Sequence, residues 1–470
     1  MRRYSYLLIF LSLCLFVAFD TAEASKADVQ KFVETEAEKA AIPGVSYALI
    51  DGDSVITGQY GVAAKNEGRP VSESTAFVIG SISKSFTAVA IMQLKEIGLL
   101  NLDDAVSLHV PGFDDTSAGA ITIRQLLSHT SGYSTLQGNS NQTDFTIDTN
   151  ALERRVADLR YIAPINAADE GWSYANVNYQ LLSRIVEVLT DREFGDYVEA
   201  AIMKPLGMRD SRMIDWKVAD NDAAGHRPWF WTKMQYEGRG AGRGSLGQGG
   251  VMSTAHDMAK YLTMMMNGQD DILTAISKRE MMQSASATSP NYGLGWFLNP
   301  EQNLVFHSGA NPGFEALATM RPNQKKAFVI LTNGGSGFGF GDTGYLRRGA
   351  TVLALGGPEE IPPNFVTKGI FLLLCALPIL FLAAAWRFWK KRKPIALKGK
   401  LAKFFYVWAP LILATALAFV LLTLIPASFG ANLKTATLFQ PDVGLLLILS
   451  SVAALIWAIV RGVVVRKSIV

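Results

Sequence analysis

Three apolar stretches, at about Gly369–Trp389, Phe404–Ala427 and Val443–Val460, constrain this 470-residue chain more than any other feature. Each comes close to the ~20 residues that a helix needs to cross the hydrocarbon core of a bilayer. A backbone in lipid must satisfy its own hydrogen bonds, so runs of this length are expected to be membrane helices. Between the first two lie Lys390–Lys393, Lys398, Lys400 and Lys403, whereas Lys434 alone is basic between the second and third. Arg461, Arg466 and Lys467 mark the end of the third. An excess of Lys and Arg marks cytoplasmic loops, which places the first loop and the C-terminus inside and everything before residue 361 outside.

The N-terminus agrees with that topology. Arg2 and Arg3 precede an apolar run from about Leu7 to Ala18, and Ala22-Glu23-Ala24 supplies the small residues of a cleavage site. This is the layout of a secretory signal covering residues 1–24; an uncleaved anchor would export the following segment equally well. The net charge of +3 conceals a division. Residues 25–360 carry 29 Lys+Arg against 38 Asp+Glu (−9), residues 361–470 carry 13 against 1 (+12), and the first 24 residues cancel at two each. An acidic body argues against nucleic acid as a partner, and a basic tail among apolar runs reads as membrane topology. The two cysteines, Cys14 and Cys375, both lie in apolar stretches, so no disulfide framework is expected.

Residues 25–360 read as one globular unit. Val45–Ile50 and Ser54–Tyr60 are β-rich and joined by Asp51-Gly52-Asp53, a hairpin signal. A helix is expected from Ser81 to about Gly98, with Ile82, Phe86, Val89 and Ala90 on one face. Leu304–His307, Glu315–Met320 and Ala327–Leu331 read as strands separated by Asn311-Pro312-Gly313 and Pro322-Asn323 turns, and a helix follows over Tyr345–Leu355. Strands from both ends with helices between them predict an α/β fold: one antiparallel sheet flanked by helices, with an inserted helical region.

Three short motifs within this unit carry chemistry. Ser81-Ile82-Ser83-Lys84 places a hydroxyl and an amine three apart at a helix start, on one face. A lysine whose pKa is lowered by desolvation can take the serine proton, and the Ser81 backbone N–H can face a developing oxyanion. Taken alone, the spacing is better read as an N-capping serine with a solvated lysine, since a chain this long should hold Ser-x-x-Lys about once by chance. Tyr174-Ala175-Asn176 supplies a phenol and an amide on one side of a loop; the phenol can act as a general base and the amide can hold a substrate carbonyl. A helix cap with a packed tyrosine is the structural alternative. His307-Ser308-Gly309 follows an apolar strand, where glycine permits close backbone approach and the Ala310 N–H can complete an oxyanion hole. Asn311, two residues beyond Gly309, is a further candidate for a polar substrate contact. His226 and His256 have no Cys or His at ligand spacing, so no metal site and no cofactor are expected.

Phe77-Val78-Ile79-Gly80-Ser81-Ile82-Ser83-Lys84-Ser85-Phe86-Thr87 resembles the serine β-lactamase and penicillin-binding-protein superfamily, in its class C (peptidase S12) branch. So do Leu126-Leu127-Ser128-His129-Thr130-Ser131-Gly132, Pro205-Leu206-Gly207-Met208, Gly249-Gly250-Val251-Met252-Ser253-Thr254 and Tyr292-Gly293-Leu294-Gly295-Trp296. The resemblance implies a β-lactamase/transpeptidase-like fold and an acyl-enzyme on Ser81. It makes Lys84 the proton partner, Tyr174 the general base, Asn176 a substrate contact, and His307, Gly309 and Ala310 the strand lining the site. Class C β-lactamases usually carry lysine where His307 stands, and a neutral imidazole holds a β-lactam carboxylate less strongly. The resemblance therefore implies a D-peptidase or esterase rather than a dedicated β-lactamase, with a small peptide or peptidoglycan-like substrate. The three-span tail is similar to that of membrane-anchored prodrug-activating peptidases, the colibactin-maturation group, which remove an acyl-D-asparagine cap. The other expectation left open is a penicillin-binding sensor that is acylated without turnover. The resemblance and the topology together imply a multi-pass protein of a bacterial cytoplasmic membrane, with its catalytic domain periplasmic or extracellular.

Overall fold

A computed structural model describes residues 26–214, 219–238, 241–356, 365–390, 399, 401 and 404–467. The expected signal segment and most of the basic loop after the first apolar run lie outside these residues. The body is built on a seven-stranded sheet in the order β3-β2-β1-β12-β11-β10-β9, antiparallel throughout. The strands from the N-terminal side are β1 (Gly44–Asp51), β2 (Ser54–Ala64) and β3 (Arg69–Pro70). Those from the C-terminal side are β9 (Phe297–Asn299), β10 (Leu304–Asn311), β11 (Phe314–Arg321) and β12 (Lys326–Thr332). The ends of the body meet where β1 pairs with β12, Tyr47 opposite Ile330. The expected hairpins form where the turn residues put them. Gly52 and Gly313 take the left-handed backbone (φ +59° and +84°) that favours glycine at such turns.

Alternation along β12 shows why the sheet is covered on both faces. Phe328 and Ile330 join Val45, Tyr47, Val33 and Leu346 in a core under helices α1 (Lys26–Lys39) and α5 (Gly344–Leu355). Ala327, Val329 and Leu331 point the other way, into the larger core with α2 (Ser83–Glu96) and α4 (Ala255–Met266). Successive strand side chains point to opposite faces, so an unbroken apolar run such as Ala327–Leu331 is the mark of a strand buried on both.

A second, three-stranded sheet orders β4 (Phe77–Val78), β8 (Val251–Ser253) and β5 (Arg212–Met213). It delivers the chain into α2. The expected helix start at Ser81 is instead a tight 3₁₀ turn, Gly80–Ile82, with the α-helix beginning at Ser83. Two strands of the inserted region, β6 (Gly225–Trp229) and β7 (Thr232–Tyr236), form a separate hairpin. Helix α3 (Asn176–Thr190) carries the second motif at its first turn.

Among the described residues, three helices are long and apolar enough to cross a membrane: Phe365–Lys390, Phe404–Ser428 and Pro441–Val464. The first and third pack together through contacts such as Phe381 against Trp457, with ring centroids 5.9 Å apart. The body is docked against the N-terminal ends of both, at Phe371 and Asp442. Phe371 of the first helix is fully buried beneath Gly339 and beside Phe230 and Phe340. The Phe230 N–H donates to Asp442 Oδ2 (2.8 Å), Arg227 Nη1 to the Leu438 carbonyl (3.2 Å), and Gln440 Nε2 to the Ser336 carbonyl (2.5 Å). The aromatic tip Trp229-Phe230-Trp231 thus anchors the β6–β7 hairpin to the apolar helices, where its sequence reads as a loop anchored into the body.

Ile330 is fully buried in the centre of the sheet. Truncation to alanine there should cost about 2–5 kcal/mol, and Val55→Ala on exposed β2 within about 0.5 kcal/mol. A thermal-unfolding midpoint that falls for the first variant and holds for the second checks this assignment of the core.

Candidate active site

Ser81 lies on the turn that joins β4 to α2, and the turn is fixed by a hydroxyl that bridges two segments. Ser83 Oγ donates to the Gly80 carbonyl (2.7 Å) and accepts from the Val251 N–H of β8 (3.0 Å). The Ile79 N–H donates to the Val251 carbonyl (3.0 Å). Gly80 holds φ +55°, so the chain turns sharply enough to leave Ser81 half-buried at the site. One turn on, Lys84 points back, and its Nζ donates to Ser81 Oγ (3.1 Å) and to the Gln248 carbonyl (2.9 Å).

Lys84 is fully buried, and among the described residues no carboxylate pairs with it. Desolvation holds its pKa well below the ordinary lysine range. The amine is therefore held toward its neutral form, able to accept a proton. Its Nζ sits 4.8 Å from the centroid of the Tyr174 ring and 5.5 Å from that of Tyr179, so a proton taken up there meets two π faces. Burial pushes the Tyr174 phenol upward, a rise that the neighbouring Ser81 hydroxyl only partly offsets. In the resting site it is a protonated phenol, not a phenolate.

The third motif lies on β10, whose inward residues alternate as the sequence spacing predicts. His307, Gly309 and Asn311 are buried, whereas Ser308 and Ala310 are exposed. Strand β9 pairs with β10 only as far as Phe306, opposite Phe297, so the edge beyond it is open. Here β10 runs hard against the Ser81 turn. A Cβ at Gly309 would meet the Ile79 carbonyl oxygen at 1.8 Å, and one at Gly80 would meet the Ala310 nitrogen at 2.5 Å. Neither position has room for a side chain, and this contact is what brings the Ser81 and Ala310 backbone N–H groups into one neighbourhood.

His307 donates from Nδ1 to its neighbour's carbonyl, that of Ser308 (2.7 Å), which leaves Nε2 to accept from the Tyr292 hydroxyl (3.2 Å). Burial, then the nearby Lys84, lower its pKa to about 3, so the imidazole is neutral. Asn311 is buried, with its amide nitrogen engaged by the Gly249 carbonyl (3.2 Å); it ties β10 to the segment that accepts from Lys84. Asn176 is also buried, and its Nδ2 donates to Asn139 Oδ1 (2.6 Å), while its own Oδ1 has no partner.

Several residues of this site do not belong to the three motifs. His129, within the Leu126–Gly132 block, lies 4.3 Å from the Tyr174 ring between centroids. It adopts φ +61° and accepts at Nδ1 from the Ala175 N–H (3.2 Å) and from Asn178 Nδ2 (3.1 Å). It fastens the loop that presents Tyr174. Trp172, Tyr292 and Phe297 complete an aromatic wall around that ring. Gln248 acts through its backbone carbonyl, and Asn139 through contact with Asn176. His129, Tyr292 and Gln248 sit in or beside blocks already conspicuous in the sequence, whereas Asn139 lies in a polar stretch with no signal of its own.

Comparison with known proteins identifies the family of this body. Residues 29–351 match the family model described as Beta-lactamase. Protein flp of Staphylococcus aureus (strain MRSA252) is 28% identical over 440 residues, covering 87% of this chain and 84% of that protein. Penicillin-binding protein 4* of Bacillus subtilis (strain 168) is 27% identical over 367 residues, covering 72% and 78%. Among solved structures, the octameric penicillin-binding protein homologue from Pyrococcus abyssi superposes with a TM-score of 0.62 at 25% identity, covering 74% of this chain and 81% of that one. A class C beta-lactamase does so at 0.59 and 22% identity, covering 73% and 99%, a likeness of fold. With a matched body that contains Ser81, Lys84, Tyr174 and His307, the chain belongs to the beta-lactamase family of serine hydrolases.

Proposed function

We propose that this protein is a membrane-anchored serine hydrolase that works through an acyl-enzyme on Ser81, cleaving amides or esters next to D-amino acids. The observation that carries the reading is the desolvated amine of Lys84, 3.1 Å from Ser81 Oγ, with no ion pair among the described residues to explain its burial. In this reading Ser81 Oγ attacks the substrate carbonyl as its proton passes to the neutral Lys84 amine. The tetrahedral oxyanion is held by the Ser81 and Ala310 N–H groups. Tyr174 gives its phenolic proton to the leaving nitrogen or oxygen and recovers one from the Lys84 ammonium, which restores the amine. Water then attacks the ester by the same route in reverse. Asn176 addresses an amide of the substrate beside the scissile bond.

The neutral His307 supports a D-peptidase or esterase over a dedicated β-lactamase, because it brings no fixed positive charge to a β-lactam carboxylate. The signal-like N-terminus and the distribution of Lys and Arg around the apolar runs support a body on the periplasmic or extracellular face of a bacterial cytoplasmic membrane.

Intact-protein mass spectrometry of the full-length protein tests the reading, with a fluorescent penicillin, a D-Ala-D-Ala peptide and an N-acyl-D-asparagine amide as probes. Wild type should give an adduct or product that disappears in Ser81→Ala. In Lys84→Ala, acylation should slow on the order of 10²–10⁴-fold, the usual contribution of a positioned base. Absence of adduct and product with every probe would sink the hydrolase; a stable adduct without turnover would make the protein a sensor.

The pH dependence follows from the directions of the two shifts. The neutral amine of Lys84 is present above its lowered pKa and is lost as pH falls through it, so acylation should fall on the acid side at a pH well below the ordinary lysine range. His307, at about 3, is neutral across the working range. His307→Gln should therefore leave that limb in place, as rates measured from pH 4 to 10 would reveal.

A further inference from the structure

The second and third apolar helices are joined by a turn at residues 429–432, followed by a short helix, Leu433–Phe439, and the turn reaches Asn176 through the Asn139 side chain. Gly430, in that turn, takes φ +65°, and a Cβ on it would meet Thr135 Cγ2 at 2.5 Å, so the turn is seated closely against the body. Its carbonyl accepts from Asn139 Nδ2 (2.8 Å). Asn139 Oδ1 in turn accepts from Asn176 Nδ2 (2.6 Å) and from Gln142 Nε2 (3.3 Å). A second bond, Asn432 Nδ2 to the Ser140 carbonyl (3.4 Å), holds the same two segments together.

The order of donors in this relay is forced. A backbone carbonyl can only accept, so the end of Asn139 that faces Gly430 must be its NH₂. Its oxygen then faces Asn176, which must present its own NH₂ in return. That leaves Asn176 with one N–H and a buried, unpartnered Oδ1, a donor and an acceptor side by side. An amide group has the complementary pair. The Asn139 backbone is held by its N–H to the Thr135 carbonyl (3.0 Å), and its side chain by these amide contacts. It borders a cavity of about 720 Å³ between the body and the apolar helices, with Phe338, Leu374, Phe429 and Leu447 in the lining.

We propose that the turn between the second and third apolar helices is a working part of the active site. Through the positioning residue Asn139, the Gly430 carbonyl sets which way the Asn176 amide points, and so prepares the site for substrates that carry an amide beside the scissile bond. This inference rests on the hydrolase reading above. It makes the tail a determinant of selectivity in addition to an anchor.

The test uses the full-length protein in detergent and two probes: a D-alanyl thioester bearing an N-acyl amide, and the matching propionyl thioester without it. The readout is the ratio of their kcat/KM values, with labelling by fluorescent penicillin reporting that each variant retains a folded site. Asn139→Ala should lower the ratio about five- to tenfold, the worth of one oriented hydrogen bond. Gly430→Ala, whose Cβ would press the turn away from Thr135, should lower it in the same direction. Asn139→Ala should add little once Asn176→Ala is present, because the two act as one unit. A ratio unchanged in both Asn139→Ala and Gly430→Ala, while Asn176→Ala lowers it, would overturn the inference and spare the hydrolase. Equal slowing of both probes would reduce Asn139 to a packing residue and overturn it as well. A wild type that neither turns over nor labels would defeat the hydrolase reading and this inference with it.

Discussion

Keeping a lysine out of water without a counter-ion is the constraint around which this body is arranged. Transfer of an ammonium into such surroundings costs several kcal/mol, and a group placed there loses its proton instead. The fold gives the Lys84 amine a hydroxyl and a carbonyl to bond, together with two aromatic faces, and among the described residues no carboxylate salt-bridges it. The partners come from three separate parts of the chain: Ser81 from the turn before α2, Gln248 from the segment before β8, and Tyr174 and Tyr179 from the loop before α3 and its first turn. The position of those segments follows from the need to enclose one amine.

The same enclosure explains the tightness of the backbone around Ser81. Glycines at 80 and 309 allow two main chains to touch where any side chain would hold them apart. Asn311 and Ser83 then lock the two sides to neighbouring segments, through Gly249 and Val251 respectively. The N–H groups of Ser81 and Ala310 are thus held by rigid elements before any ligand arrives, the condition under which such donors are most effective.

Local features of the site were legible in the sequence because spacing encodes them. Ser81 and Lys84 share a helix face, His307 and Gly309 share a strand face, and both faces turned out to be the buried ones. The sheet was legible for the same reason: alternation, hairpin turns and apolar runs are all short-range signals, and they placed β1, β2 and β10–β12 within a few residues. What could not be read were contacts made by ordinary residues across long separations. Asn139 meets Gly430 over 291 positions, and Lys84 meets the Gln248 carbonyl over 164. A backbone carbonyl has no residue signature, and a polar asparagine in a loop looks like any other. The role of Phe230 was hidden likewise, since its partner Phe371 is one apolar residue within an apolar helix.

The contacts of the third apolar helix and the turn before it have a mechanical consequence. Arg227, Phe230, Ser336 and Phe338 all bond within the short segment from Leu438 to Asp442, at the mouth of that helix. A body held by a flexible linker would sweep out a hemisphere and sample substrates at any height above the lipid. This one is bolted down, so in a bilayer its cleft would ride at one fixed elevation and one heading. Molecules that dwell at that level, lying along the surface or still leaving it, would encounter the nucleophile far more often than molecules free in the surrounding fluid.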